Sequence, residues 1–229
     1  MDRTVLIASR ENFLVYELTR RYLEKNYNVI CTISKSSLPD DFGSVEENFS
    51  KSLLNLDINW KSPLSVRSLL LKGLTKFGSF QESIIIHSPV GEIRPLHEVP
   101  MGSIEEIVDS GIKGFIFLLK ELLSHYWKRK EGFLFPVVYT HGSEVLPPLD
   151  SAVAGAFVSA VESMFTFYKS EPIIINAFES KSVRTGDFAD FMMKTIQEKA
   201  KTTYGRWFRF NDKTNLFSSL SINLPGSKR

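Results

Sequence analysis

Four histidines, one cysteine and scattered carboxylates and hydroxyls are the groups in this 229-residue chain that could move a proton, hold a metal or attack a substrate. His87 lies near the end of "ESIIIHSP" (82–89), and His141 near the end of "FLFPVVYTHG" (133–142). If those runs are neighbouring strands, the two imidazoles stand at one edge of a sheet. An imidazole changes charge in the physiological range and binds metals through a neutral nitrogen. With Asp57 or Glu144 the pair could bind a metal or move a proton. The plainer alternative is that both are polar strand ends meeting loops, and no His-x-x-x-His spacing selects against it. Ser143 adds a hydroxyl beside His141. His141, Ser143 and His87 are therefore the candidates for a non-redox catalytic site. No Gly-x-Ser-x-Gly elbow and no Gly-x-x-x-x-Gly-Lys-Ser/Thr phosphate loop is present. Tyr126 and Lys130 have Tyr-x-x-x-Lys spacing, but they close a helix and read as an exposed i,i+4 pair. Cys31, inside "NVICTI", reads as an inert buried thiol. One cysteine builds no disulfide and no cysteine-based zinc site within the chain.

The elements that must position these groups alternate. "TVLIAS" (4–9) is an apolar, β-branched run, as in a strand buried on both faces. Residues 12–25 carry Leu14, Leu18 and Tyr22 at spacings of four, which makes one buried helical stripe. Strands are expected at 27–34, 52–58, 82–89, 133–142, 172–178 and 206–210, and a loop at 36–44. A helix over 62–77 starts near Ser62-Pro63. A loop at 90–102 leads to one long helix, residues 103–132, opened by a Ser103/Glu106 capping box and stopped by Gly132. Helices follow at 150–168 and 187–201. No repeat at a fixed period is found.

Apolar strands separated by helices imply a parallel sheet covered on both faces and wound right-handed. The fold class is α/β: a single-domain, Rossmann-like, doubly wound, mainly parallel sheet of about seven strands. It spans residues 1–217, with 218–229 a tail. The expected crevice lies outside the carboxyl ends of the strands, lined by Ser9-Arg10, Ser34-Lys35, Asp57-Ile58, His87-Ser88, Thr140-His141 and Phe178-Glu179. A net charge of +2, with basic residues dispersed apart from Lys128-Arg129-Lys130, does not suggest a nucleic-acid partner. That short run reads as a solvated helix end. No apolar run approaches the roughly 20 residues of a membrane span. The N-terminus enters a strand at once, without the apolar region of a secretory signal. A cytoplasmic location and no membrane partner are expected.

In this order the elements resemble the short-chain dehydrogenase/reductase family over nearly the whole chain. "VLIAS" and its helix sit where that family has its glycine turn. "LDI" resembles the aspartate–aliphatic pair after the third strand, and "IIIHSP" the fourth strand with its Asn-Asn-Ala-Gly end. "VDSGIKGFIFLLKELL" resembles the long fifth helix, "DSAVAGAFVSAVESMF" the helix carrying Tyr-x-x-x-Lys, and "PIIINAF" the strand after it.

The resemblance implies an NAD(P) site at Ser9, Arg10, Lys35, Asp57, Ile58 and Ser88. Asp57-Ile58 would contact the adenine, Lys35 could meet a 2′-phosphate, and Ser9 with Arg10 could receive an anion at the helix N-terminus. The chemical signatures depart from the family. The positions of Thr-Gly-x-x-x-Gly-x-Gly that admit the pyrophosphate fall on Ser9, Phe13 and Val15, and the last two would crowd it. The catalytic tyrosine and lysine fall on Ser151 and Gly155, the asparagine of the long helix on Gly111, and the serine near Thr140 or His141. A serine hydroxyl cannot replace a phenol of pKa near 10.

The expectation is a degenerate family member without hydride transfer, acting as a dimeric ligand-binding or scaffold protein. Its alternatives are an NAD(P)(H)-dependent oxidoreductase with a displaced site and a non-redox enzyme using the crevice histidines and serine. Helices 103–131 and 150–168 are apolar over most of their circumference, so each needs a second partner face, either the loop at 90–102 of the same subunit or another chain. The resemblance implies that this partner is a second copy of the chain. The ligand itself is unspecified.

Overall fold

β1 (Thr4–Ser9) and β4 (Glu82–His87) are buried at every residue, as central strands must be. The chain is described by a computed structural model over residues 3–10, 13–34, 41–143 and 145–211. β2 is Asn28–Cys31, β3 Leu53–Asn55, β5 Phe133–Tyr139, β6 Ile174–Ile175, β7 Ala177–Ser180 and β8 Trp207–Phe210. They form one sheet in the order β3-β2-β1-β4-β5-β7-β8, with β6 also against β5, and every pairing is parallel. The order reverses between β1 and β4, which opens the crevice of a doubly wound fold.

Alternation along the strands sorts the helices. Val5 and Ile7 of β1 face one core with Leu14 and Leu18 of α1 (Phe13–Glu24) and Phe188 and Met192 of α7 (Thr185–Thr195). Leu6 and Ala8 face the other, with Leu69 of α3 (Pro63–Phe77), Leu118 of α5 (Gly114–Arg129) and Phe157 of α6 (Pro148–Phe167). Ser62 caps α3 as expected, its side chain accepting from Ser65 N at 3.3 Å. Cys31 is fully buried, and burial pushes its thiol up to about 12.

Several elements differ from the sequence reading. A short helix, α2 (Phe42–Asn48), occupies part of the expected loop because Phe42 anchors it in the core. β3 ends three residues early. The Asn55 amide takes over the pairing there, its Oδ1 accepting from Ile33 N (2.9 Å) and its Nδ2 donating to Ile33 O (3.1 Å). The long helix is α4 (Met101–Val108) and α5 joined by a π-helical stretch, Asp109–Lys113. The capping box does not form. Ser103 N and Ile104 N already bond Pro100 O, at 2.9 and 3.1 Å, so Ser103 lies inside the first turn. Lys130, at φ 61°, ends α5 instead of Gly132. Gly132 is needed for another reason, since a Cβ there would stand 2.2 Å from the Tyr126 ring.

The expected sixth strand is interrupted at Asn176 without a change of register, as Phe133 pairs Ile174 and Val137 pairs Phe178. The Asn176 side chain turns away from the ladder. Its Nδ2 donates to Ala200 O (2.8 Å) and Thr203 O (2.7 Å), and its Oδ1 accepts from Arg206 N (2.8 Å). It thereby ties the strand to the chain that enters β8.

Candidate functional site

A cavity of about 380 Å³ opens at the carboxyl ends of β4 and β5. Ser88, His141 and Ser143 line it, together with Phe13, Val90 and Gly91. β5 stops at Tyr139, whose hydroxyl lies 2.7 Å from Thr185 Oγ1. The chain then turns sharply. Thr140 N donates to Ser180 O (3.1 Å), Ser143 N to Thr140 O (3.1 Å) and Gly142 N to Lys181 O (2.6 Å). His141 takes φ 41° in that turn, so its exposed ring stands at the mouth.

The opposite wall is fixed by a residue the sequence reading passed over. Asp150, in the first turn of α6, is buried and accepts from Val90 N (2.9 Å) and Gly91 N (3.0 Å). A carboxylate there is favoured by the helix N-terminus as well as by the two amides. The signal available in the sequence was an acid two residues after Pro148, in the first turn of a helix that proline starts.

His87 does not join His141. It is 1% exposed, stacked on Phe157 with ring centroids 5.2 Å apart and set edge-on to Phe115 at 5.5 Å. Neither ring nitrogen has a hydrogen-bond partner. Burial, and then the nearby Arg10 charge, lowers its pKa to about 4, so it is neutral at pH 7. Alternation along β4 sends His87 to the same face as Ile85, under α5 and α6, and away from solvent.

Arg10 leaves the end of β1 and reaches across the crevice. One guanidinium nitrogen lies 3.2 Å from where a Gly111 Cβ would stand, beside Val153. On α6, Val153 lies beside Arg10 and Gly111, and Phe157, one turn on, is buried against His87. Ser151 and Gly155, the positions expected from spacing, lie on the exposed face of α6. The helix is apolar or small nearly all round, so its phase could not be read from the sequence.

The remaining candidates scatter. Ser9 is buried, its backbone latched to Thr32, with Ser9 N to Thr32 Oγ1 at 3.0 Å and Thr32 Oγ1 to Ser9 O at 2.9 Å. Phe13 is 65% exposed at the cavity mouth, whereas Val15 is buried in the core and does not crowd the crevice. Asp57 is exposed beyond the end of β3, and Ile58 packs against the α3–α5 core. Phe178 and Glu179 lie within β7 instead of ending it, and Glu179 accepts from Arg209 Nε at 2.8 Å. Lys35 and Glu144 lie outside the described residues, as does the 218–229 tail. Tyr126 is buried, not exposed. Its hydroxyl meets Ser83 Oγ at 2.6 Å, and desolvation raises its pKa. Ser83 sits near the start of β4, so this Tyr-x-x-x-Lys is at the end of the sheet opposite the crevice. Among the described residues no group of three or more His, Cys, Asp or Glu could hold a metal ion. No described helix is long and apolar enough to cross a membrane.

No protein-family model matches the chain, and no curated protein matches it by sequence. Solved structures do match. A levodione reductase superimposes with TM-score 0.78 at 13% identity, covering 94% of this chain and 98% of that one. The 3-ketoacyl-(acyl-carrier-protein) reductase from Brucella melitensis, complexed with NADH, gives 0.74 at 15% identity, covering 90% and 96%. An oxidoreductase of the short chain dehydrogenase/reductase family from Brucella ovis, with a partially ordered NAD, gives 0.68 at 15% identity, covering 92% and 100%. The chain therefore has the fold of the short-chain dehydrogenases/reductases, a Rossmann-like α/β sheet, over nearly its whole length.

Proposed function

We propose that this chain is a degenerate protein of that fold which binds a small molecule at the β4–β5 crevice and does not transfer hydride. One observation carries the reading. The buried pair on α6 at i,i+4 spacing over this end of the sheet is Val153, beside Arg10 and Gly111, and Phe157, stacked on His87. Carbonyl reduction needs a proton donor tuned to working pH beside a fixed cation. Neither apolar side chain donates a proton. The residues also do not fit a dinucleotide in the usual pose, since Arg10 spans the space between β1 and α6.

The neighbours bound to NADH or NAD keep the oxidoreductase alternative in the experiment. Calorimetric titration with NAD(H) and NADP(H), paired with a hydride-transfer assay on a carbonyl panel, is expected to give no saturable turnover. Tight NADPH binding with turnover, abolished by Asp57→Ala, would replace this reading with an oxidoreductase. A second reading has its own support, because His141 and Ser143 share one cavity with Ser88. It predicts a nicotinamide-independent activity lost in His141→Ala.

The protein is also proposed to be a homodimer through α5 and α6. A groove of about 550 Å³ runs between these helices, walled by Leu119, Leu123 and Met164. Ile116 and Trp127 stand exposed beside it.

A further inference from the structure

The basic run Lys128-Arg129-Lys130 is not wholly a solvated helix end. The Arg129 side chain is only 31% exposed, and it walls a cavity of about 580 Å³ at the end of the sheet opposite the crevice. Three other segments meet there: the start of β2 at Asn28, the turn after α2 at Lys51, and the end of α3 from Lys76 to Ser79. Lys51, Lys76 and Arg129 thus bring their cations to one space. Asn28 and Ser79 add an amide and a hydroxyl, and Phe77 an apolar wall. Among the described residues, the one carboxylate paired with any of these cations is that of Glu131, 2.5 Å from Arg129 Nη2.

Both α3 and α5 end here, and a helix C-terminus attracts cations. That accounts for the placing of Lys76 and Arg129. It does not account for Lys51, which lies in the turn after α2, or for Arg129 Nε, which is buried without a hydrogen-bond partner. A buried charged N–H without an acceptor is costly, and an anion would remove that cost. Carbonyls at both helix ends are drawn into backbone hydrogen bonds, which weakens their repulsion of an anion. Leu74 O accepts from Gly78 N (2.8 Å) and Phe77 O from Ser79 N (2.9 Å), while Tyr126 O accepts from Glu131 N (3.4 Å) and Trp127 O from Lys130 N (3.3 Å). Lys76 Nζ donates to Ser50 O (3.0 Å) and Leu53 O (2.7 Å), which occupies two of its three N–H groups.

We propose that this cavity binds the phosphate of a small phosphomonoester, with a sugar-sized body against Phe77 and Asn28. Three cations less the Glu131 carboxylate leave two positive charges. That matches a phosphomonoester, which carries about −1.5 to −2 at pH 7, and exceeds a single carboxylate. Lys51 and Arg129 supply charge-assisted donors, and Lys76 a third. The volume falls within the range of small-molecule pockets, about 300–1,000 Å³. The site is separate from the β4–β5 crevice and does not depend on what binds there.

The test is calorimetric titration of the full chain at low ionic strength with ribose 5-phosphate, inorganic phosphate and ribose. Ribose 5-phosphate is expected to saturate, inorganic phosphate to bind more weakly, and ribose not to bind. Lys51→Gln and Arg129→Gln are each expected to weaken ribose 5-phosphate binding at least about tenfold, the scale of a lost charged hydrogen bond. Their melting temperatures report that each variant is folded, and Lys51 is exposed, so its variant keeps the fold. Arg10→Ala, at the crevice, and Lys72→Gln, on the exposed side of α3, are expected to leave this binding unchanged. Phosphatidylcholine vesicles containing phosphatidic acid present the same phosphomonoester on a surface, and the chain is expected not to sediment with them. The proposal is overturned if ribose 5-phosphate does not bind or binds no better than ribose. It is equally overturned if either Lys51→Gln or Arg129→Gln binds as tightly as the wild type, or if Arg10→Ala abolishes binding. Sedimentation with the vesicles would overturn it too, by moving the phosphate to a lipid headgroup.

Discussion

At the scale of single residues, His87 shows how burial removes a group from chemistry. It ends a strand whose carboxyl terminus opens on the crevice, yet its ring lies between Phe115 and Phe157 with a pKa of about 4. An unfolded histidine titrates near 6.5. Between these values only the unfolded chain takes the proton, so stability is full above about pH 6.5 and falls as the pH drops towards 4. Chemical denaturation at pH 7 and pH 5 is expected to differ by about 2 kcal/mol from this residue. His87→Phe should flatten that interval, and an unchanged slope would count against the buried neutral imidazole. The sequence placed His87 correctly at a strand end. It could not show the aromatic partners, which come from two helices distant in the chain.

At the scale of elements, the crevice depends on how strands end. Asn55 closes β2 and β3 with its amide, Asp150 pins the turn after β4, and Asn176 interrupts the strand beside β5. Each supplies side-chain hydrogen bonds where ladder bonds stop. Asn176→Ala would strand two carbonyls and one amide in a buried site. At about 1–3 kcal/mol for each unsatisfied buried group, partly relieved by water, the cost is about 3 kcal/mol. A urea titration monitored by far-UV circular dichroism checks it. A loss under 1 kcal/mol would mean that the interruption is not held by this side chain. These endings were only partly legible. Polar residues in the runs mark where a strand could stop, but the backbone groups they bond are 22 to 60 residues away in sequence.

At the scale of the whole molecule, α5 and α6 expose Ile116, Trp127 and Phe167 on their outer side. The second face of each has no partner within the described chain, and the groove between them is largely apolar. Sedimentation velocity is expected to show a dimer at micromolar concentration, and Ile116→Glu is expected to shift it to monomer with unchanged helical content. A wild-type monomer would remove the dimer from the reading. A charge buried in such an interface is uncompensated, which costs several kcal/mol and exceeds what a weak dimer holds in reserve.

The sequence by itself determined the alternation of strands and helices, the parallel doubly wound class, the buried thiol and the lack of a glycine turn. These follow from local periodicity and residue type, which act over a few neighbours. The tertiary structure alone decided which side chains meet. The phase of α6 was invisible in a helix apolar nearly all round, so Ser151 and Gly155 looked placed for the crevice when they lie on the exposed face and Val153 and Phe157 are the residues turned inward. The π-helical stretch at Asp109–Lys113, the Asp150 clamp and the separation of His87 from His141 likewise arise from packing between distant segments. Periodicity gives each helix a stripe, but only the sheet it packs on fixes where that stripe points.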